Sequence, residues 1–168
     1  MDSAAAFRVE PAVAADRDEV VELFAEDLRD LGMEFQREDL GAVFDEMMGE
    51  ARAIVLVVRS VLDVERPWRA VGVLVATRLL SVKAAGRAVW IEELYVGRRW
   101  RRHGLGRMLV ESLLERAGPM GIKAIDLEAY QGNAPAAVLY RSLGFRRLGR
   151  ERFYYRLDWD QDGGPEPA

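Results

Sequence analysis

The spacing of apolar residues changes several times along the chain, and these changes predict alternating strands and helices. Residues 7–11 alternate in character, which predicts a short first strand. Residues 16–31 and 37–48 carry apolar side chains at helical spacing, and Gly32 ends the first of these helices. Residues 53–61 are almost continuously apolar, which is typical of a strand covered on both faces.

The second half of the chain continues the alternation. The predicted elements are strands at 70–81 and 89–96, a helix from 105 to about 117, a strand at 122–129, a helix at 136–142, and two last strands within 145–159. The fourth and fifth strands must be parallel, because a helix connects them.

This order predicts an α/β (α+β) fold with one mixed, strongly twisted sheet. We expect six to seven strands flanked by about four helices, in a single domain that covers residues 1–159. Residues 160–168 are polar and rich in Gly and Pro, so we expect a disordered tail.

A basic turn separates the fourth strand from the third helix. Arg98, Arg99, Arg101, Arg102 and Arg107 lie in it with Gly104 and Gly106, and no acidic residue occurs from position 97 to 110. The first N–H groups of a helix are unpaired and carry partial positive charge, so this turn is suited to bind phosphates. A P-loop would need a Lys after the glycines, and a dinucleotide fingerprint would need Gly where Leu109 stands.

Two motifs carry a family resemblance. Arg101-x-x-Gly104-x-Gly106, preceded by Leu94-Tyr95-Val96, resembles the pyrophosphate-binding motif of the GNAT superfamily of acetyl-CoA-dependent N-acetyltransferases. At the expected distance follows Asn133-x-x-Ala136-x-x-Leu139-Tyr140-x-x-x-Gly144-Phe145. One departure is Arg98, where the family often has proline. The resemblance implies a GNAT-like sheet, acetyl-CoA as cosubstrate, and direct transfer to an amine without an acyl-enzyme.

The resemblance also implies which residues hold the cosubstrate. The diphosphate would bind the backbone of Arg102, His103, Gly104, Leu105 and Gly106, with the side chains of Arg101, Arg102 and Arg107. The pantetheine arm would lie along Leu94, Tyr95 and Val96, where the fourth and fifth strands splay apart. The Leu94 amide would donate to the thioester oxygen, and Asn133 would contact the pantetheine region.

Acetylation of an amine requires a base and an acid, because an alkylamine is mostly ammonium at pH 7 and the thiolate needs a proton. Glu92 is the candidate base. Strict alternation puts it on one strand face with Trp90, Leu94 and Val96, opposite Glu93 and Tyr95. A similar strand in the diamine and polyamine acetyltransferase branch has the catalytic glutamate at its first acid. Glu93 is the reserve base, and an ion pair of Glu92 with an arginine is the structural alternative.

Tyr140 is the candidate acid. Its position on the helix after Asn133 matches the family's second motif, and a phenol is a suitable proton donor to a thiolate. The alternative is a tyrosine that packs in the core beside Phe145.

Composition removes several function classes. The chain has no cysteine and a single histidine, so a disulfide framework, a thiolate zinc site, a cysteine nucleophile and any metal-ligand set are not expected. The net charge of −4 argues against nucleic-acid binding. No apolar run has the length of a membrane span, and residues 1–10 lack a signal-peptide pattern, so we expect no membrane partner and a cytoplasmic protein.

Acidic residues far outnumber basic ones between positions 10 and 50. They favour a small cationic acceptor such as a polyamine, diamine or aminoglycoside, unless they are simply the solvated faces of two helices. A protein N-terminal or lysine amine is the alternative acceptor, and a non-catalytic acyl-CoA-binding module is the alternative class. Homodimers are common in the family, and a homodimer remains open here.

Overall fold

The computed structural model describes residues 6–33, 35–130, 132–150, 152–153 and 157. Its strands are β1 (Phe7–Pro11), β2 (Ala53–Ser60), β3 (Arg69–Ser81), β4 (Gly86–Val96) and β5 (Ala124–Leu127). Its α-helices are α1 (Arg17–Asp30), α2 (Arg37–Gly49), α3 (Leu105–Ala117) and α4 (Ala134–Ser142). The predicted order of strands and helices is confirmed from β1 to α4.

The five strands form one mixed sheet in the order β1-β2-β3-β4-β5. The pairs from β1 to β4 are antiparallel, and β4 pairs with β5 in parallel. A parallel pair needs a long crossover connection, and α3 supplies it. The prediction of a mixed sheet flanked by four helices is therefore confirmed.

The predicted strand count of six to seven is wrong for the described residues, which contain five strands. Residues 145–150, expected to begin the last hairpin, are not in a strand. Residues 146–150 are all exposed, so a strand at this place would bury no side chains to stabilise its pairing. Most of the remaining predicted hairpin and the predicted tail at 160–168 lie outside the described residues.

Two apolar clusters lie on opposite faces of the sheet. On one face, α3 packs Leu109 and Leu113 against strand residues that include Leu74 and Ile91. On the other face, α1 and α2 pack against strand residues, with Phe44 of α2 fully buried. Burial on both faces explains the continuous apolar runs of β2 and β3.

A β-bulge interrupts β4. Glu93 pairs with Val75 of β3, whereas Ile91 pairs with Ala76, so Glu92 is the extra residue with no partner in the ladder. Ile91 and Leu94 consequently pack on the same face of the sheet, in the cluster with α3. The strict alternation predicted for this strand, with Glu92 on the face of Leu94, is therefore wrong here. The extra residue changes which side chains share a face.

None of the helices in the described part of the chain is long and apolar enough to cross a membrane.

Candidate active site

The sheet opens at the bulge of β4. Parallel pairing joins Ala88 to Ala124 and continues only as far as Ile91 and Leu127. Beyond this point β4 keeps its pairing with β3 but not with β5. The backbone of β4 from the bulge to Val96 therefore faces a gap between two strands, and strand-edge N–H and C=O groups can pair with an extended ligand there.

Glu93 lies at the start of this gap and is half-buried, whereas Glu92 is exposed. The Glu93 carboxyl hydrogen-bonds the carboxyl of Asp27 on α1, and its Oε1 accepts from the Leu94 amide at 2.9 Å. Burial, followed by the charge of Asp27, raises the pKa of Glu93 to about 8. Burial likewise raises the pKa of Asp27. Two carboxylates in contact repel each other unless one of them is protonated. This pair therefore holds one proton near neutral pH.

Two tyrosines lie close enough to Glu93 to respond to its charge. Burial, followed by the charge of Glu93, raises the pKa of Tyr140 to about 12. Tyr130, which follows β5, is 66% exposed, and burial with the charges of Glu93 and Asp27 raises its pKa. The Tyr140 ring meets Phe145 edge-on, with the ring centroids 5.8 Å apart. Tyr140 therefore both packs beside Phe145 and lies in the electrostatic field of Glu93.

The turn after β4 leads directly into the N-terminus of α3. Gly104 is the N-cap of α3 and has φ +78°, in the left-handed region that glycine adopts without strain. Arg102 has φ +69°, a conformation that is costly for a residue with a side chain. A Cβ on Gly106 would lie 3.5 Å from Leu139 of α4, so the start of α3 lies against α4. The turn thus points the free N–H groups of α3 towards the same end of the sheet as the gap.

The arginines of this turn have different surroundings. Arg101 donates to Asp30 at 2.8 Å and to the carbonyl of Val96 at 3.0 Å, and its guanidinium lies 5.1 Å from the centre of the Tyr95 ring. Arg98 also donates to Asp30. These hydrogen bonds, with that from Arg98 the strongest, lower the pKa of Asp30 to about 2.

The side chain of Arg101 is therefore directed at Asp30 of α1. Arg107 donates to Glu111 at 3.3 Å and to Ser142, which joins α3 to α4. The side chain of Arg102 is exposed. Of the three arginine side chains expected to bind the diphosphate, Arg102 is the one placed in solvent beside the turn.

The other expected site residues have structural contacts. Asn133 caps α4, since its Oδ1 accepts from the Ala136 amide at 3.2 Å. The Tyr95 side chain is buried against α1, and its hydroxyl lies 3.1 Å from Asp30. His103 is exposed, and its Nδ1 lies 3.0 Å from the carbonyl of Arg101. Leu94 and Val96 pack in the cluster with α3.

Sequence reasoning missed Asp27 and Asp30. Both lie on α1 and both contact β4 or the turn that follows it, through Glu93, Arg98 and Arg101. Their spacing of three residues puts them on one face of the helix, which was the available signal. The surrounding acids, however, gave α1 the pattern of a solvated face.

The chain is similar to known proteins in sequence and in fold. A family model described as "Acetyltransferase (GNAT) family" matches residues 18–145. The chain is 43% identical over 56 residues to the ribosomal protein bS18 alanine N-acetyltransferase of Salmonella typhimurium, a match that covers 33% of this chain and 38% of that protein. The chain thus spans less than half the length of this curated relative.

Solved structures share the fold at low sequence identity. A possible acetyltransferase from Clostridium difficile 630 superposes with a TM-score of 0.76 at 18% identity, over 90% of this chain and 98% of that one. An aminoglycoside acetyltransferase from an uncultured soil metagenomic sample, in complex with sisomicin, gives a TM-score of 0.73 at 19% identity, over 93% and 99%. At these identities the likeness is one of fold.

The raised pKa of Glu93 predicts how stability depends on pH. Glu93 loses its proton near pH 4.5 when unfolded and near pH 8 when folded, so its contribution to stability is fully present below this window and is lost as the pH rises through it. We expect Glu93→Gln to flatten the fall in the free energy of unfolding, measured by urea denaturation from pH 5 to pH 8.5. Glu92→Gln is the matched control and keeps most of the slope, because the charge of Glu92 contributes least to the raised pKa of Glu93. A wild-type slope in Glu93→Gln contradicts the assignment.

Proposed function

Since the chain belongs to the acetyltransferase (GNAT) family, we propose that it transfers the acetyl group of acetyl-CoA directly to a primary amine. One observation carries this proposal. The strand gap, the N-terminus of α3, and an acidic and a phenolic side chain all meet at one end of the sheet. An activated thioester, a base and a proton donor are needed at one place for this reaction.

The backbone supplies the proposed cosubstrate site. The free N–H groups at the start of α3 bind the diphosphate, and the absence of side chains at Gly104 and Gly106 lets it approach them closely. Arg102 adds charge from the solvent side of the turn. The unpaired edge of β4 at Leu94, Tyr95 and Val96 pairs with the amide groups of the pantetheine arm, in the way that it would pair with a neighbouring strand. The Leu94 amide donates to the thioester oxygen.

We propose Glu93 as the base, in place of the neighbouring Glu92. The Glu93 carboxyl is half-buried beside the strand gap, whereas that of Glu92 is exposed. A base is most effective when its pKa is near the working pH, and the pKa of Glu93 is raised to about 8. Glu93 removes a proton from the acceptor ammonium, directly or through water, and the neutral amine that results attacks the thioester carbonyl.

We propose Tyr140 as the proton donor to the departing thiolate. With a pKa raised to about 12, its phenol keeps its proton over the whole physiological range. The negative charge of Glu93 contributes to that shift, so the base and the acid lie near each other. This is the arrangement that a direct transfer requires.

The acidic surroundings favour a small cationic acceptor, such as a polyamine, diamine or aminoglycoside. Asp27 of α1 lies beside Glu93, and a carboxylate oxygen of Glu26 lies 3.4 Å from the Tyr95 hydroxyl, while Asp30 is paired with Arg98 and Arg101. The negative charge shared by the Asp27 and Glu93 pair, together with that of Glu26, therefore attracts a second ammonium of the acceptor. The fold likeness to an aminoglycoside acetyltransferase that binds sisomicin is compatible with this class.

A protein N-terminal amine is the second candidate acceptor. The observation in its favour is the relative from Salmonella typhimurium, whose name assigns it to the alanine of a ribosomal protein. An α-amine has a pKa near 8 and needs less help from a base than an alkylamine does. A small cationic acceptor carries a further positive charge besides its reacting amine, whereas a protein N-terminus need not. An experiment that compares amines of different charge therefore distinguishes the two classes.

The acceptor proposal predicts the outcome of an amine panel. With acetyl-CoA in excess, we expect thiol release with spermidine, putrescine or kanamycin at a kcat/KM about tenfold above that of a peptide with N-terminal alanine, because complementary charge favours the cationic acceptors. The measurement is continuous thiol titration. A preference for the peptide selects the second candidate. Tight coenzyme A binding without thiol release from any amine identifies an acyl-CoA-binding module instead.

The base assignment predicts a difference between two adjacent substitutions. Glu93→Gln should lower kcat by about 10²-fold to 10⁴-fold and flatten its rise with pH, because the group that titrates near pH 8 has been removed. Glu92→Gln should keep most of the rate and the wild-type pH profile. The measurement is kcat from pH 6.5 to pH 9.5. The reverse pattern assigns the base to Glu92.

The acid assignment predicts the effect of Tyr140→Phe. We expect kcat to fall by about 10²-fold while the Kd of acetyl-CoA changes little, because only the proton donated to the thiolate is lost. Steady-state kinetics and calorimetry give the two quantities. Tyr130→Phe removes a neighbouring, mostly exposed phenol and is expected to keep most of the turnover. Full turnover in Tyr140→Phe refutes the assignment.

A further inference from the structure

Two acceptors compete for the hydrogen bond of the Leu94 amide. In the described arrangement it donates to Oε1 of Glu93 at 2.9 Å. The proposed function gives the same amide to the thioester oxygen of acetyl-CoA. A single N–H makes one short, well-aligned hydrogen bond at a time. Binding of the acetyl group in that position must therefore release the Glu93 carboxyl.

Asp27 provides the other contact of the Glu93 side chain. It lies on α1 three residues before Asp30, whose carboxylate is 3.1 Å from the Tyr95 hydroxyl. This helix face therefore packs on the side of β4 that carries Glu93 and Tyr95. The Asp27 carboxyl hydrogen-bonds that of Glu93. We propose that Asp27 is a positioning residue: when the thioester oxygen takes the Leu94 amide, Asp27 alone holds the Glu93 carboxyl beside the acceptor. This inference rests on the proposed function, since it needs acetyl-CoA to bind along β4.

The exchange has a consequence for protons. A hydrogen bond from a backbone N–H favours the charged form of a carboxyl, and the Leu94 amide lowers the pKa of Glu93 in this way. Loss of that bond, and the further burial caused by the ligand, both favour the protonated form. The Asp27 and Glu93 pair therefore takes up a fraction of a proton from solvent when acetyl-CoA binds.

The other charged groups around the pair come from every neighbouring element. Asp30 of α1 and Glu92 of β4 are the acids whose charge reaches the pair, and Arg101 is the cation that acts on Asp27. Tyr130 and Tyr140 have pKa values raised above 10, so they do not titrate near pH 8. None of these groups loses a hydrogen bond when the thioester oxygen takes the Leu94 amide, so the proton uptake is assigned to the pair.

A matched pair of ligands isolates the carbonyl oxygen. S-ethyl-coenzyme A has the length of acetyl-CoA, but a methylene replaces the carbonyl, and neither ligand carries a free thiol that titrates. Each ligand is titrated into the protein at pH 8 by calorimetry in two buffers of different ionisation enthalpy, which gives the number of protons taken up per site. We expect acetyl-CoA to take up a fraction of a proton more than the S-ethyl ligand does.

Two variants test the residues. Glu93→Gln keeps an oxygen for the Leu94 amide but cannot titrate, so the difference between the two ligands should vanish. Asp27→Asn removes the negative charge that raises the pKa of Glu93. The extra uptake should then disappear at pH 8 and occur at a lower pH. An unchanged pH window in Asp27→Asn overturns the role of Asp27.

The result also separates this inference from the proposed function. Equal proton uptake by the two ligands, in a protein that releases thiol from acetyl-CoA with an amine, overturns the exchange and leaves the transfer reaction standing. If neither ligand produces heat on titration or a shift in the melting temperature, the protein does not bind them. That result contradicts both this inference and the proposed acetyl transfer.

Discussion

The pairing of β4 with β5 ends at Ile91, one residue before the bulge, and the candidate site depends on that end. If the two strands stayed paired, the backbone of β4 would be used in the ladder and could not bind a ligand. The bulge also adds a residue, so that Glu93 reaches α1 while Leu94 packs towards α3. A single irregularity in the sheet therefore lies at both the opening and the side chain that we propose as the base.

Charge is distributed unevenly around this opening. Asp30 has a pKa lowered to about 2 by Arg98 and Arg101, so it is fully ionised and paired. Three residues earlier on the same helix, Asp27 has a raised pKa because it is buried against Glu93. The two acids of one helix face thus have opposite roles. Asp30 is an ionised partner of Arg98 and Arg101. Asp27 belongs to a pair in which the pKa of Glu93 is raised to about 8.

Local features of the sequence predicted the third helix, the basic turn and the parallel fifth strand. Helical spacing and two glycines are visible in a short window, and a helix between two strands fixes their direction. The bulge could not be predicted in this way, because its extra residue is defined by pairing with Val75 and Ala76, far away in the chain. The contact of Asp27 with Glu93 was missed for the same reason. Polar residues on a helix reveal their partners only when the helix is packed.

Asp30 is the last residue of α1, and its two arginine contacts tie that helix end to the turn before α3. The segment that follows, from Leu31 to the start of α2, lies beyond this anchor. Leu31, Met33 and Phe35 expose apolar surface there. Insertions or exchanges in that connection leave the anchor in place. The length and apolar surface of this connection can therefore change without loosening the tie between α1 and the turn before α3.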